Sequence, residues 1–305
     1  MKTKGFTLVE LLVVIAIIAL LMGILMPALS RVRQLAFRLT CGTNLSGIGK
    51  AMMLYANDYQ DELPRAGGRS TTWGAVQDWT AASRNQAFGL AADGSGGRAT
   101  ISSCFYLLIK YTEVTPKSFI CKGDAGTTEF KLSDLTTAVG SNFELIDAWD
   151  FGPATEALKH CSYSYHMPFG LYALTVSSEP AFAVAADRNP FLKSPAAEAK
   201  TLSVFKPDLT GFGGTSDTAK EGNAIAHQLD GQNVMFLDTH VAFEKRPYCS
   251  VEDDNIYLIS PDVTKGSPLG TVPVPPTVVP ANRKDSVLVH DTGDTGPTPP
   301  IRPTR

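Results

Sequence analysis

The sequence has no excess of basic charge. Lys and Arg number 27 against 30 Asp and Glu, for a net charge of −3 over 305 residues. That leaves no broad positive field for nucleic acid, and no nucleic-acid partner is expected. The chain also lacks a His-Glu-x-x-His helix motif, a nucleophile elbow, a phosphate loop and a dinucleotide fingerprint. The short motifs of metalloproteases, acyl hydrolases and nucleotide-binding enzymes are therefore missing. GGRS (67–70) and GSGGR (94–98) are glycine-rich but have no strand-to-helix setting, so they are weak as phosphate sites. The paired carboxylates of a glycosidase do not stand out. Cysteine is scarce, with five residues at 41, 104, 121, 161 and 249 and no Cys-x-x-Cys pair, so zinc or thioredoxin chemistry is not expected. Five is odd, and at least one thiol must stay free or pair between molecules.

Polar side chains are absent from a further long stretch, residues 11–26. With its flanks this run covers about 24 residues and one charge, Glu10. As a helix it measures roughly 36 Å, enough to cross a hydrocarbon core of about 30 Å. An acid at that depth is costly and by default points to a function. Pro27 should kink or loosen the helix. An ordinary signal peptide cut after Ala28-Leu29-Ser30 is the first alternative. Against it, Glu10 interrupts the apolar core, and a helical rhythm continues beyond Ser30. Leu35, Leu39, Leu45, Ile48, Met52, Tyr55 and Tyr59 recur at steps suited to one helix face. Gly42, Gly47 and Gly49 each weaken that helix by up to about 1 kcal/mol, so bending is expected there. Arg31, Arg33 and Arg38 form the one conspicuous basic cluster, which fits a solvated, membrane-flanking helix face. Charge alone does not settle orientation, since Lys2 and Lys4 precede the run and three arginines follow it.

KGFTLVELLVVIAIIALL resembles the leader and N-terminal helix of type IV prepilins and type II secretion pseudopilins. The resemblance implies a leader of residues 1–5 and cleavage by a prepilin peptidase between Gly5 and Phe6. It also implies N-methylation of Phe6 and an assembly role for Glu10 and Phe6. In a helix bundle the Glu10 carboxylate would meet the amine of Phe6, its own or a neighbour's, and each charge would compensate the other. The simpler alternative is an acid that snorkels to the headgroups.

CGTNLSGIGKAMMLYANDYQDELP and HQLDGQNVMFLDTHVAFEKRP extend the likeness. They resemble a large prepilin-type subfamily common in planctomycete-group bacteria, whose C-terminal signature is His, nine residues, then Asp-Gly. Here ten residues separate His227 from Asp238, and Thr239 stands in the place of Gly. From the subfamily's two Cys-bearing motifs, the resemblance implies a disulfide between Cys41 and Cys121; the alternative is that both are buried free thiols. Export to an oxidising envelope is compatible with that.

In the head, NVMFL and VAFE flank Asp238-Thr239-His240 as a predicted hairpin. Thr239 is β-branched and resists a positive φ, so a wider loop is expected. PAFAVAAD and SYSYHM also read as strands, and 103–111 as a short helix or buried segment. The fold class is α+β: a pilin-like long N-terminal helix on an antiparallel sheet head. The expected organisation is a membrane half of the helix (6–29), a soluble half (30–60), a globular head (61–265) and a proline-rich tail (266–305), mostly extended or disordered. From Pro261 onward the chain carries 10 of its 20 prolines, which is the basis for that tail. KDSVLVH within it is strand-like and suited to docking on the head.

His227, Asp238 and His240 invite a metal interpretation, and Asp253 with Asp254 a calcium one. The alternative is turn chemistry and a solvated acidic loop, and no metal or cofactor is expected. The function that follows is a structural, non-enzymatic pilin or pseudopilin subunit. It would sit as a single-pass inner-membrane protein with its head in the periplasm or facing outward, beside sibling subunits. The alternative is a membrane-anchored binding module or enzyme that uses the prepilin route for export alone.

Overall fold

The computed structural model describes residues 7–135, 139–140 and 142–293. Helix α1 spans Leu8–Asp58 without interruption. Pro27 lies inside it, and the helix continues through the ring. A helical proline crowds residue i−4; here that residue is Gly23, with open space around it. The helix ends where Gln60 and Asp61 take φ of 57° and 61°. The Asp61 N–H then reaches back to the Ala56 carbonyl at 2.9 Å, a Schellman-type closure that satisfies the last turn. Among the described residues, α1 is the one helix long and apolar enough to cross a membrane.

The remaining elements are short. They are β1 (Thr72–Trp73), α2 (Arg84–Phe88), β2 (Arg98–Ala99), α3 (Ile101–Thr112), β3 (Tyr163–His166), α4 (Ala154–Ala157, preceding β3), β4 (Ala183–Asp187), α5 (Ser216–Lys220), β5 (Gln232–Phe236), β6 (Val241–Glu244) and β7 (Leu288–Val289). Five strands form one antiparallel sheet in the order β6-β5-β4-β3-β7. The class is α+β, a long helix against an antiparallel sheet.

The lower half of α1 lies across this sheet. Cys41, Leu45, Ile48, Met52 and Tyr55 are buried there, each large apolar side chain contributing roughly 2 kcal/mol of burial. Leu35 and Leu39, which share the helical rhythm, stay exposed; contact with the head begins in earnest at Cys41. Two glycines let the helix come close to β5. A Cβ on Gly42 would sit 3.1 Å from Asn233 Oδ1, and one on Gly49 would sit 2.5 Å from Met235 Sδ. These positions, expected as bending points, are sites of close approach in an unbroken helix. Gly47, on the open side, touches nothing.

The sheet has cover on both faces, so β4 and β5 are buried along their whole length. Val184, Ala185 and Met235 join the core under α1 and α3, while Ala183, Ala186, Val234 and Phe236 join a second core with Phe205, Tyr257 and Leu288.

The second core is roofed by a segment expected to be a loose tail. Residues 266–293 are part of the head. Thr271 bridges Ile259, Val278 is buried, and β7 pairs with β3 as an edge strand. Prolines there leave few backbone donors, and side chains hold the segment instead. Asn282 Nδ2 donates to the carbonyls of Asp262 and Lys265 at 2.8 and 3.0 Å. Asp291 accepts from Trp73 Nε1 and from the N–H groups of Ile101 and Ser102 at 2.8–3.0 Å, so the C-terminal segment caps α3. The end of the proline-rich tract, 294–305, lies outside the described residues.

The β5–β6 hairpin is tighter than expected. Thr239 N–H bonds the Phe236 carbonyl at 2.9 Å, Phe236 N–H bonds the His240 carbonyl at 3.0 Å, and Thr239 sits at φ 71°. This is the three-residue hairpin loop that normally places Gly at its left-handed position. Asp238 overcomes the residue's reluctance by accepting the His240 N–H at 3.1 Å.

Candidate functional site

Gly5 and Phe6 lie outside the described residues. The first described turn places Glu10 in a capping box. Thr7 N–H and Oγ1 donate to Glu10 Oε2 at 2.8 and 2.7 Å, and the Glu10 N–H donates to Thr7 Oγ1 at 3.3 Å. The sequence signal, a Thr three residues before an acid at the head of an apolar run, was there to be seen. Glu10 is thus fixed beside the positive end of the helix dipole, with its second oxygen free of these bonds. From Leu8 to Leu29 the large apolar side chains are 45% to 78% exposed, so this surface needs lipid or other helices to cover it.

The second candidate region is where α1 meets the head. Cys41 and Cys121 are joined by a disulfide, with Cα atoms 5.4 Å apart and 80 residues of separation. Closing a loop of that length contributes about 4–5 kcal/mol on chain-entropy grounds. Cys104, Cys161 and Cys249 are free thiols. Around the disulfide, Asn44 Nδ2 donates to the Ile120 carbonyl at 3.1 Å. Arg38 lies over the Phe243 ring, 4.6 Å from its centroid, and pairs with Asp230. Of the basic cluster, Arg38 therefore faces the head. No linear motif marks it, since its partners are some 190 residues away.

His227 is also here, fully buried at the end of the 3-10 turn Ile225–His227. Its Nε2 is 3.1 Å from Asp187 Oδ2, 3.2 Å from Asn233 Nδ2 and 3.8 Å from Cys121 Sγ. Asn233 donates to Asp187 Oδ2 through its backbone and side chain, at 2.7 and 3.1 Å. Close by, Arg188 pairs with Asp124 at 3.2 Å, both nearly buried. Burial pushes the Asp124 carboxyl up, and the Arg188 charge opposes it.

Asp238 and His240 do not join His227. They pair with each other at the exposed hairpin tip, where the hydrogen bond from His240 holds the Asp238 carboxyl below its usual range. The His240 ring stacks on Phe236 at 4.4 Å. Asp253 and Asp254 do not form a cation cage either. Asp254 is buried and accepts N–H groups from Ser267 at 3.0 Å and Ser286 at 2.7 Å, which ties down the C-terminal segment. Burial, with the neighbouring Asp285 charge, pushes Asp254 up to about 8. Among the described residues, the one group of His, Cys, Asp and Glu close enough to share an ion is Cys41, Cys121, Asp187 and His227. Asn233 lies six residues beyond His227 in the quoted motif, while Asp187 carried no ligand signal, because the pairing of β4 with β5 is what brings it to them.

The family described as Prokaryotic N-terminal methylation motif matches residues 1–26. No curated protein and no solved structure matches the chain. The matched segment holds Gly5, Phe6, Thr7 and Glu10 together with most of the exposed apolar helix. Residues 1–26 thus carry a prepilin-type N-terminal motif, and it opens a helix long and apolar enough to cross a membrane.

Proposed function

We propose that this protein is a structural pilin- or pseudopilin-like subunit. A prepilin peptidase cuts it after Gly5 and methylates Phe6. The mature chain rests as a single-pass inner-membrane protein with its head outside the cytoplasm. From there α1 enters a helix bundle with sibling subunits in a type II secretion or type IV pilus-like apparatus. Within the prepilin group, the paired Cys motifs and the His227–Asp238 region favour the planctomycete-type subfamily. The head serves in contact rather than catalysis. The observation that carries this proposal is the pairing of an exposed apolar helix with a pre-positioned Glu10 at its start. In a bundle, Glu10 turns its charge to the amine of Phe6, which no longer needs water.

The test is a pair of variants followed by mass and crosslinking in native membranes. Gly5→Val should block cleavage, because the peptidase must seat a small residue at the scissile bond. Glu10→Leu should be cleaved normally yet accumulate as uncrosslinked monomer, since an unpaired buried amine costs about 3–5 kcal/mol. Normal maturation of the Gly5 variant, or wild-type multimers from the Glu10 variant, refutes the assignment.

A further inference from the structure

We propose that Cys41, Cys121, Asp187 and His227 form a site for zinc or a similarly thiophilic divalent ion. The site is open to metal while the two cysteines are thiols and closed once they are joined. It is independent of assembly into any apparatus.

The donor set comes first. Two sulfurs, an imidazole and a carboxylate suit zinc in charge and softness. All four residues are buried, and one ligand atom from each lies within 4.8 Å of the others. A tetrahedral zinc with ligands at about 2.0–2.3 Å sets its donors roughly 3.2–3.8 Å apart. The Asp187–His227 and His227–Cys121 distances of 3.1 and 3.8 Å already match that spacing. The two sulfurs must separate to admit the ion.

Asp187 Oδ1 is buried without a hydrogen-bond partner, and such an atom calls for an explanation. Asp187 Oδ2 and Cys121 Sγ also lie 3.1 and 3.8 Å from His227 Nε2, with the Asn233 amide beside them. A cation answers that convergence. Asn233 holds Asp187 Oδ2 with two N–H bonds, as outer-shell groups do for metal ligands. A surface pocket lined by Gly123, Asp124, Arg188, Asn189 and Ala226 is built from the sequence neighbours of Cys121, Asp187 and His227.

The chemistry balances. On loading, the ion replaces the two thiol protons, which go to water. On closing, the two thiolates lose two electrons to a disulfide oxidant. The sulfurs of Cys41 and Cys121 bond, the oxidant's own disulfide breaks and takes up two protons as two thiols, and the divalent ion departs. Asp187 and His227 alone are too few to retain it.

Cobalt(II) is the probe, with full-length protein in detergent and a phosphine reductant. Reduced protein should take up one cobalt per chain. It should show thiolate-to-cobalt charge transfer and the strong visible bands of tetrahedral cobalt, and zinc should displace both. Oxidised protein should show neither. Cys41→Ser with Cys121→Ser should abolish the charge-transfer band, while replacing Cys104, Cys161 and Cys249 by Ala should keep it. His227→Gln and Asp187→Asn should each weaken cobalt binding at least tenfold. A reduced, folded protein with no band overturns the proposal, as does a band that survives loss of Cys41 and Cys121. If reduction unfolds the chain by circular dichroism, zinc must restore the fold, and failure to do so also overturns it.

Discussion

Thr239 pays a conformational cost that its neighbours impose. It sits at φ 71°, and a left-handed residue with a Cβ costs roughly 1–2 kcal/mol. Thr239→Gly should therefore raise stability by about 1 kcal/mol, the greater freedom of glycine in the unfolded chain taking back part of the gain. A denaturant midpoint that stays put or falls would show that the turn holds Thr239 without strain. The same hairpin shows where single residues mislead. Asp238 and His240 invited a metal reading beside a turn reading, and they serve the turn and the Phe236 ring. Glu10 was legible because its meaning is local: a motif, a run and a cap within a few positions. His227 was legible only as a residue of interest. Its partners Asp187 and Asn233 sit on separate strands, and no spacing in the sequence predicts which strands adjoin.

Among the elements, α1 shows how differently three glycines in one helix can behave. Gly47→Ala should stabilise by up to about 1 kcal/mol, since the position is open and Ala is the better helix former. Gly49→Val should destabilise by about 1–3 kcal/mol, because its side chain must displace Met235 from the helix–sheet contact. Equilibrium unfolding of the two variants side by side checks this; matching effects would mean that the close approach to β5 is not tight. Periodicity made the head-facing half of α1 readable; the strands β3 to β6 were readable as short runs of strand-forming residues, although β3 to β5 are buried at every position. The C-terminal segment was harder. Its prolines signal an extended chain, and β7 is two residues long, too short to show a period. What docks it is a set of side-chain bonds from Asn282, Asp285 and Asp291 to distant backbone. Composition says nothing about such bonds.

The whole molecule stores its acidity inside. Burial and a nearby acid push Asp254 up to about 8 and Asp150 to about 7, and burial pushes Asp285 to about 6. Unfolded, each titrates near 4. Each therefore holds a proton in the folded chain that the unfolded chain has lost. That stability is complete below about pH 4 and fades as pH rises through the folded value. Buried His166, lowered to about 4, and His290, also lowered, work the other way. Their contribution is full above about pH 6.5 and is lost as pH falls. The denaturant midpoint should thus climb as pH falls from about 8.5 to 6.5 and go on rising below that, where three acids outweigh two histidines. Asp254→Asn should flatten the climb, with Asp285 and Glu252 the acids that face it. A midpoint that falls over the same interval would mean that Asp254 is ionised in the folded chain. The placement of the cross-link matters for load as well. Cys41 is the first buried residue on α1, and it is joined to Cys121. An axial tug on the membrane half of the rod therefore enters the head through a covalent bond. The packed contacts further along, at Leu45, Ile48 and Met52, feel it only afterwards.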